Sequence, residues 1–78
     1  MKIGVKILPK KEVLDSQGRA VEKILNSHGQ KVDGCRVGRY VVLDIDESNK
    51  DSAVAKAQKM AEFVLHNPLI ESYELEVL

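Results

Sequence analysis

Few side chains in this sequence could carry out acid–base, nucleophilic or metal chemistry, and they lie far apart along the chain. The histidines are His28 and His66, and the one cysteine is Cys35. None of them falls in a C-x-x-C or H-E-x-x-H spacing, the arrangements that bring several metal ligands together. We predict that Cys35 is a small buried apolar residue and that each histidine interacts with a helix C-terminus.

Motifs for phosphate binding and nucleophilic catalysis are also absent. No G-x-G-x-x-G or Walker-type run follows a predicted strand, and no G-x-S-x-G occurs. Asp44 and Asp46 lie two apart on one face of a predicted strand and could hold a cation, although a solvated edge is the commoner reason for such a pair. The sequence therefore predicts no catalytic, cofactor-binding or metal-binding residues.

The length and composition predict a single domain over residues 1–78. A chain of 78 residues buries a modest fraction of its surface and is often helped by self-association. Its apolar content is 44%, and no apolar run approaches the roughly 20 residues that span a bilayer. The N-terminus lacks the pattern of a signal peptide, and one cysteine cannot form an internal disulfide, so we expect a soluble, cytoplasmic protein.

Charge is balanced overall but not along the chain. Twelve basic and twelve acidic residues cancel, which argues against binding nucleic acid through phosphate neutralisation. Residues 1–39 carry nine Lys or Arg against four Asp or Glu, and residues 40–78 carry three against eight. We interpret this asymmetry as basic and acidic strands that pair in one sheet, rather than as a dipole for a partner.

The longest extended pattern is Val32–Asp46, which reads VDGCRVGRYVVLDID. Its apolar residues share one phase of a two-residue period, namely Cys35, Val37, Val41, Leu43 and Ile45. A two-residue hairpin loop would split this set between two faces. Two arrangements remain: a three-residue loop over Gly38–Tyr40, or one continuous strand that bends at Gly38.

The continuous arrangement has a consequence for assembly. One strand over this stretch would span roughly 45–50 Å at about 3.3 Å per residue. A compact chain of this size has a radius of gyration of only about 11–12 Å. The strand would therefore protrude from its own domain, and a second chain would have to cover it.

Two shorter strands are predicted at the ends of the chain, over Lys2–Leu8 and Ser72–Leu78. Both alternate apolar and polar residues, so each has a buried face and a wet face. The wet faces carry opposite charges, which suggests antiparallel neighbours. The charged residues are Lys2 and Lys6 in the first strand and Glu74 and Glu76 in the last.

Two amphipathic helices separate the three extended segments. The first begins at Asp15 or Ser16 and ends at Gly29, and the second begins in the capping pattern Ser48–Asp51 and ends near His66. The apolar stripe of the first helix is Val21, Ile24 and Leu25. That of the second is Val54, Ala57, Met60, Ala61, Val64 and Leu65.

The order of elements is that of a ferredoxin-like fold if the central stretch counts as two strands. We therefore predict an α+β, two-layer sandwich of βαββαβ order with a long bent central strand. If that strand stays straight, its second half enters the sheet of another copy, and an intertwined or swapped dimer results. We favour this version.

Three segments resemble those of a known family: Leu14–Val21 (LDSQGRAV), Arg36–Tyr40 (RVGRY) and Asn67–Tyr73 (NPLIESY). With the short length and the element order, they make the whole chain resemble PurS, the small subunit of phosphoribosylformylglycinamidine synthase. The family usually has proline at the position of Ser16 and commonly cysteine near Ala61, so the chain departs from it there.

The resemblance implies a non-catalytic assembly subunit of an ATP-dependent ligase in purine biosynthesis. In the family, the glutaminase subunit PurQ releases ammonia, and the large subunit PurL uses ATP and Mg²⁺ to admit it to formylglycinamide ribonucleotide. PurS bridges the two. The implied partners are thus a second copy of the chain, PurL and PurQ, with no cofactor bound by this subunit, no nucleic acid and no membrane.

The centre of the extended stretch is the predicted partner interface. Gly38 permits a bend, Arg39 places a fixed cation in the apolar face, and Tyr40 offers a ring with a polar tip. The full predicted set is Val37, Gly38, Arg39, Tyr40, Val41 and Leu43.

Two other functions are compatible with such a fold. Small ferredoxin-like dimers often bind an amino acid at the subunit seam, which would need a polar pocket there. An RNA-binding module would need aromatic residues exposed on the sheet, and only Tyr40, Phe63 and Tyr73 are available. Neither alternative accounts for the three matching segments.

Overall fold

The computed structural model describes all 78 residues and contains three strands and two α-helices. In chain order these are β1 (Lys2–Pro9), α1 (Ser16–Ser27), β2 (Arg39–Asp44), α2 (Lys50–Met60), a π-helical turn (Ala61–Leu65) that continues α2, and β3 (Glu71–Val77). Neither α1 nor α2 combines the length and apolar character that crossing a bilayer requires.

The three strands form one antiparallel sheet in the order β2-β1-β3. Val5 in the central strand lies opposite Val41 on one side and Leu75 on the other. The prediction that the first and last strands are antiparallel neighbours is confirmed. On the open face, the ammonium of Lys6 lies 3.3 Å from a carboxylate oxygen of Glu76.

One face of the sheet carries the core. Ile3, Val5 and Ile7 alternate along β1 and are almost completely buried, so each contributes roughly 1.5–3 kcal/mol of hydrophobic stabilisation. Helix α2 and the π-helical turn cover these side chains with a row of fully buried alanines, spaced four residues apart. The row is Ala53, Ala57 and Ala61. Because alanine is small, the helix approaches the sheet closely.

The π-helical turn changes the predicted stripe of the second helix. One extra residue per turn rotates the positions that follow, so Val64 is 78% exposed instead of buried. Met60 is also exposed, at 41%. The predicted burial of these two residues is therefore wrong, while the predicted end near His66 is confirmed.

Helix α1 does not lie over the sheet of its own chain. It has no extensive contact with any strand or with α2, and Ile24 on its apolar stripe is 58% exposed. The molecule is correspondingly elongated, 47 × 25 × 14 Å, with a radius of gyration of 15.4 Å. A compact chain of this length would have about 11–12 Å.

The helix ends follow the sequence signals closely. Asp15 is the N-cap of α1, and Gly29 follows the helix with a left-handed φ of 81°. The N-cap of α2 is Asn49, whose side chain accepts from the amide of Ser52 at 3.1 Å. The capping pattern therefore begins one residue later than Ser48, the position that the sequence favoured.

The central stretch does not fold back as a hairpin. Residues Gly34–Gly38, which we call the arm, run into β2 without an intervening turn, and β2 pairs with β1. The three-residue loop is therefore wrong, since Arg39 and Tyr40 belong to the strand. The α+β class and the ferredoxin-like order are confirmed, with three paired strands in the chain and the arm in the place of the fourth.

Candidate interaction surface

The outer edge of β2 and the arm has no partner within the chain. The amide of Val37 donates to the Asp15 carboxylate, and the amide of Ile45 donates to the carbonyl of Met1. The N–H groups of both odd-numbered residues therefore point toward the β1 side. Alternate residues of an extended chain point their N–H and C=O groups to opposite sides. The even-numbered residues therefore present theirs to the free edge. They are Gly34, Arg36, Gly38, Tyr40, Val42 and Asp44.

The Asp15 carboxylate joins the arm to the start of α1. One oxygen accepts from the amide of Gly18 and the other from the amide of Val37, both at 2.9 Å. These two bonds, that of Gly18 first, hold the pKa of Asp15 below its usual value. The register of β1 and β2, continued by two residues, places Val37 opposite Pro9, whose carbonyl accepts from Arg36 instead. The Asp15 side chain therefore supplies the acceptor for the Val37 amide.

Three further contacts hold the arm against its own chain. A Cβ on Gly18 would collide with the carbonyl oxygen of Cys35, and a Cβ on Gly38 would collide with that of Ile7. The guanidinium of Arg36 donates to the carbonyl of Pro9. Both glycines are therefore required by close backbone approach, as the sequence suggested for Gly18.

Arg39 is bound within the chain. Its Nη2 donates to the carbonyl of Leu65 at 2.7 Å and to Oε1 of Glu71 at 3.0 Å. The same carboxylate oxygen accepts the amide of Asn67 at 2.7 Å. Arg39 thus ties β2 to the end of the π-helical turn and to the start of β3, and we call this arrangement the Arg39 latch.

Tyr40 lies across the open face of the sheet. Its ring covers Gly4, where a Cβ would collide with the hydroxyl, and the hydroxyl donates to Glu76. That bond raises the pKa of Tyr40, and together with Lys6 it lowers the pKa of Glu76. The two outer strands are therefore joined across the central strand.

The predicted interface residues thus meet along β2, but their side chains point into their own fold. Val41 and Leu43 pack on the core beside Leu75 and are half-buried. Arg39 and Tyr40 are held by Glu71 and Glu76. What this segment leaves available to a partner is chiefly its backbone edge, together with the exposed side chain of Val42.

Comparison with known proteins decides the family. The family model described as "PurS: Phosphoribosylformylglycinamidine (FGAM) synthase" matches residues 2–78. The chain belongs to the PurS family. The resemblance seen in the sequence is therefore confirmed.

Individual PurS proteins are similar over nearly their whole length. The phosphoribosylformylglycinamidine synthase subunit PurS of Bacillus subtilis is 39% identical over 77 residues, which cover 97% of this chain and 90% of that protein. The structure of Thermus thermophilus PurS has a TM-score of 0.86 at 35% identity, covering 99% and 95% of the two chains. A chain in the structure of PurLQS from Thermotoga maritima has a TM-score of 0.90 at 28% identity, covering 99% and 95%.

The residues considered for chemistry have local partners in this PurS-family chain. Nδ1 of His28 lies 2.9 Å from the carbonyl oxygen of Ile24, and Nδ1 of His66 lies 2.6 Å from that of Ala61. Both rings therefore interact with the last turn of a helix, as predicted. Cys35 is half-buried, less than the sequence suggested.

No cluster of three or more potential metal ligands occurs in the chain. Asp44 and Asp46 flank the buried Ile45 on the exposed side of the strand end. On the open sheet face of this PurS-family chain, Tyr40 is the one aromatic residue, because Tyr73 points toward the core and Phe63 lies on the π-helical turn. An RNA-stacking surface would need several such rings.

Two long-range contacts cannot be predicted from the sequence. The bond from Asp15 to Val37 joins residues 22 apart, and the Arg39 latch joins residues 32 apart. Gly18 gave a partial signal, because a glycine in the first turn of a helix indicates close backbone approach. No comparable signal in the PurS-family sequence pairs Arg39 with Glu71.

Proposed function

We propose that this chain, as one PurS domain over residues 1–78, is a non-catalytic assembly subunit of phosphoribosylformylglycinamidine synthase. It bridges the glutaminase PurQ and the large subunit PurL, so that ammonia released from glutamine reaches the synthetase site. ATP and Mg²⁺ act in the large subunit, and the complex works in the cytoplasm. The observation that carries the proposal is the family match over residues 2–78, and the similarity to a chain of Thermotoga PurLQS supports it.

The chain pairs with a second copy through the arm and β2. The arm of one copy adds to the free edge of β2 in the other, antiparallel and around a two-fold axis. In this pairing, each even-numbered residue of one copy lies opposite an even-numbered residue of the other. The odd-numbered apolar residues of both copies then lie on the same face of the joined sheet. The seam thus runs along the segment that holds the predicted interface residues Val37, Gly38, Arg39, Tyr40, Val41 and Leu43. Its backbone hydrogen bonds come from the even-numbered residues of the free edge, such as Gly38, Tyr40 and Val42.

Several features support pairing over a monomeric function. The chain is much more elongated than a compact domain. Ile24 on helix α1 is 58% exposed, and Leu14, just before the helix, is 67% exposed. Since Asp15 ties α1 to the arm, the helix accompanies the arm to the second copy. There it covers apolar surface that neither copy covers alone.

The seam is tested by a proline at the free edge. Val42→Pro removes an N–H that points away from β1, so the sheet of the chain itself is retained while pairing is blocked. The matched control is Val77→Pro, which changes a similarly exposed valine, 43% against 51%, on the opposite edge strand. Sedimentation equilibrium should show a monomer for Val42→Pro and wild-type association for the control.

The bridging role is tested in the complex reconstituted with PurL and PurQ. Val42→Pro should lower glutamine-dependent synthesis of formylglycinamidine ribonucleotide by at least about tenfold, while activity with free ammonia survives because the synthetase site is intact. Equal loss of both activities would place the defect in the synthetase. Full glutamine-dependent activity from a monomeric variant would refute the paired state as the functional one.

A further inference from the structure

The arm is an unusual segment because it keeps a strand-like course without a strand beside it. Its neighbour β1 ends at Pro9, whose carbonyl accepts from the guanidinium of Arg36. The amide of Val37 donates to no backbone carbonyl. It donates to Oδ2 of Asp15 at 2.9 Å, so this oxygen takes the place of a strand carbonyl.

The same carboxylate is committed to α1 through its other oxygen, which accepts from Gly18. Gly18 in turn lies against the carbonyl of Cys35, two residues before Val37, so helix and arm touch at both the side chain and the backbone. We call this unit the Asp15 clamp, and it consists of Asp15, Gly18, Cys35 and Val37. It fixes the direction in which the arm leaves its own sheet.

We infer that Asp15 is a positioning residue for self-association, because the Asp15 clamp holds the arm extended with its free edge turned toward a second copy of the chain. This inference rests on the proposed pairing of the arm with β2. Without the clamp, only the contacts of Arg36 and Gly38 hold the arm in place. The arm then adopts several conformations, including some in which it folds back onto the edge of β2 in its own chain. Preorganisation of this kind strengthens binding by reducing the ordering that association requires.

The clamp acts twice in each pair, since a two-fold axis makes both arms part of one seam. Its loss therefore weakens association more than the loss of one hydrogen bond would. Capping of α1 is a separate effect of the same side chain, and the experiment must hold it constant.

Asp15→Ser separates the two effects. Serine is a favoured N-cap with one side-chain oxygen, so it retains the bond to Gly18 and cannot also reach Val37. Asn49→Ser makes the equivalent change at the N-cap of α2, which has no contact with the arm. Gly18→Ala is a second probe, because its methyl group would collide with both the carbonyl oxygen of Cys35 and Oδ2 of Asp15, the two groups of the clamp that face the helix.

The full-length variants are compared by sedimentation over a range of concentrations, with circular dichroism for folded content and hydrogen exchange for individual amides. We expect Asp15→Ser to raise the dimer dissociation constant at least about tenfold, and Asn49→Ser to change it less than about threefold. The Val37 amide should exchange faster in Asp15→Ser and Gly18→Ala than in Asn49→Ser or the wild type. If Asp15→Ser loses folded content, Gly18→Ala gives the same test.

Equal dissociation constants for Asp15→Ser, Asn49→Ser and the wild type would overturn the positioning role and leave the proposed pairing in place. A wild-type protein that stays monomeric at all concentrations would overturn both. The two failures are distinguishable because the first appears in the variant and the second in the unaltered chain.

Discussion

Replacing Arg39 with methionine should destabilise the fold measurably although the residue lies on the surface. Arg39→Met keeps most of the aliphatic stem and removes the guanidinium that joins Leu65 and Glu71. A hydrogen bond to a charged group contributes about 1.5–3 kcal/mol when buried, and we reduce this to about 1 kcal/mol because the side chain is 55% exposed. The ion pair adds roughly 0.2–1 kcal/mol, since exposed pairs are screened by water.

The expected loss is therefore about 1.2–2 kcal/mol of unfolding free energy. For a domain of this size that corresponds to a melting temperature lower by roughly 5–16 °C. Urea unfolding followed by circular dichroism measures it, with every variant at one protomer concentration because association adds to apparent stability. Glu71→Gln and the double variant complete a cycle, and we expect a coupling of about 0.5–1 kcal/mol between the two positions.

Lys56→Met is the matched control. Lys56 forms an ion pair with Glu47 at 2.7 Å with a side chain 53% exposed, but it has no contact with a helix-end carbonyl. Lys56→Met should lower the unfolding free energy by less than about 1 kcal/mol. If Arg39→Met were no more destabilising than Lys56→Met, the contact with the end of the π-helical turn would contribute nothing and the latch would be refuted.

Three further predictions concern the clamp, the open sheet face and the core. The pKa of Asp15 is lower in the folded chain than in the unfolded chain. The carboxylate therefore stabilises the fold fully above its unfolded pKa, near about 3.9, and this contribution is lost as the pH falls through the folded pKa. The urea midpoint of the wild type should accordingly fall more between about pH 5 and pH 2 than that of Asp15→Ser. Gly4→Ala should displace Tyr40 and break its bond to Glu76, so that ultraviolet titration shows the pKa of the phenol returning toward its usual value. Ala57→Leu should destabilise the fold by about 1–3 kcal/mol in urea unfolding, because the position is fully buried against the sheet.

Each of these predictions has an outcome that contradicts it. A parallel pH dependence in wild type and Asp15→Ser would show that the carboxylate bonds do not favour the folded state. An unchanged phenol titration in Gly4→Ala would mean that the ring does not need the space over the glycine. Wild-type stability for Ala57→Leu would mean that helix and sheet are not in close contact there.

The local signals in the sequence were sufficient for most of the secondary structure. Alternation fixed the strand at Lys2–Leu8 within one residue of its observed end, and Gly29 marked the end of the first helix. The opposite charges of Lys6 and Glu76 identified the neighbouring strands. Each of these features depends on periodicity or on residue preference within a few positions, and such effects are readable without knowing the rest of the fold.

The π-helical turn was not predictable in this way. Both ends of this turn are in contact with distant parts of the chain, since Ala61 packs on the sheet and the Leu65 carbonyl accepts from Arg39. Contacts of this kind produce no periodic pattern in the sequence. The same reason explains why the predicted burial of Val64 is wrong, whereas Met60 lies before the turn, in the regular part of α2. A stripe counted at regular α-helical spacing fails where the helix changes its pitch.

The sequence alone determined that the apolar residues of the central stretch share one face. Its prediction of one long strand over Val32–Asp46 holds only in part, because the paired strand is limited to Arg39–Asp44. Only the tertiary structure decided that the stretch runs on without a hairpin, that Asp15 bonds to the amide of Val37, and that the predicted interface side chains are turned inward while the edge of their strand is free. The physical reason is that the period of a strand fixes which residues share a face. The partner of each backbone group, by contrast, depends on contacts between residues far apart in the chain.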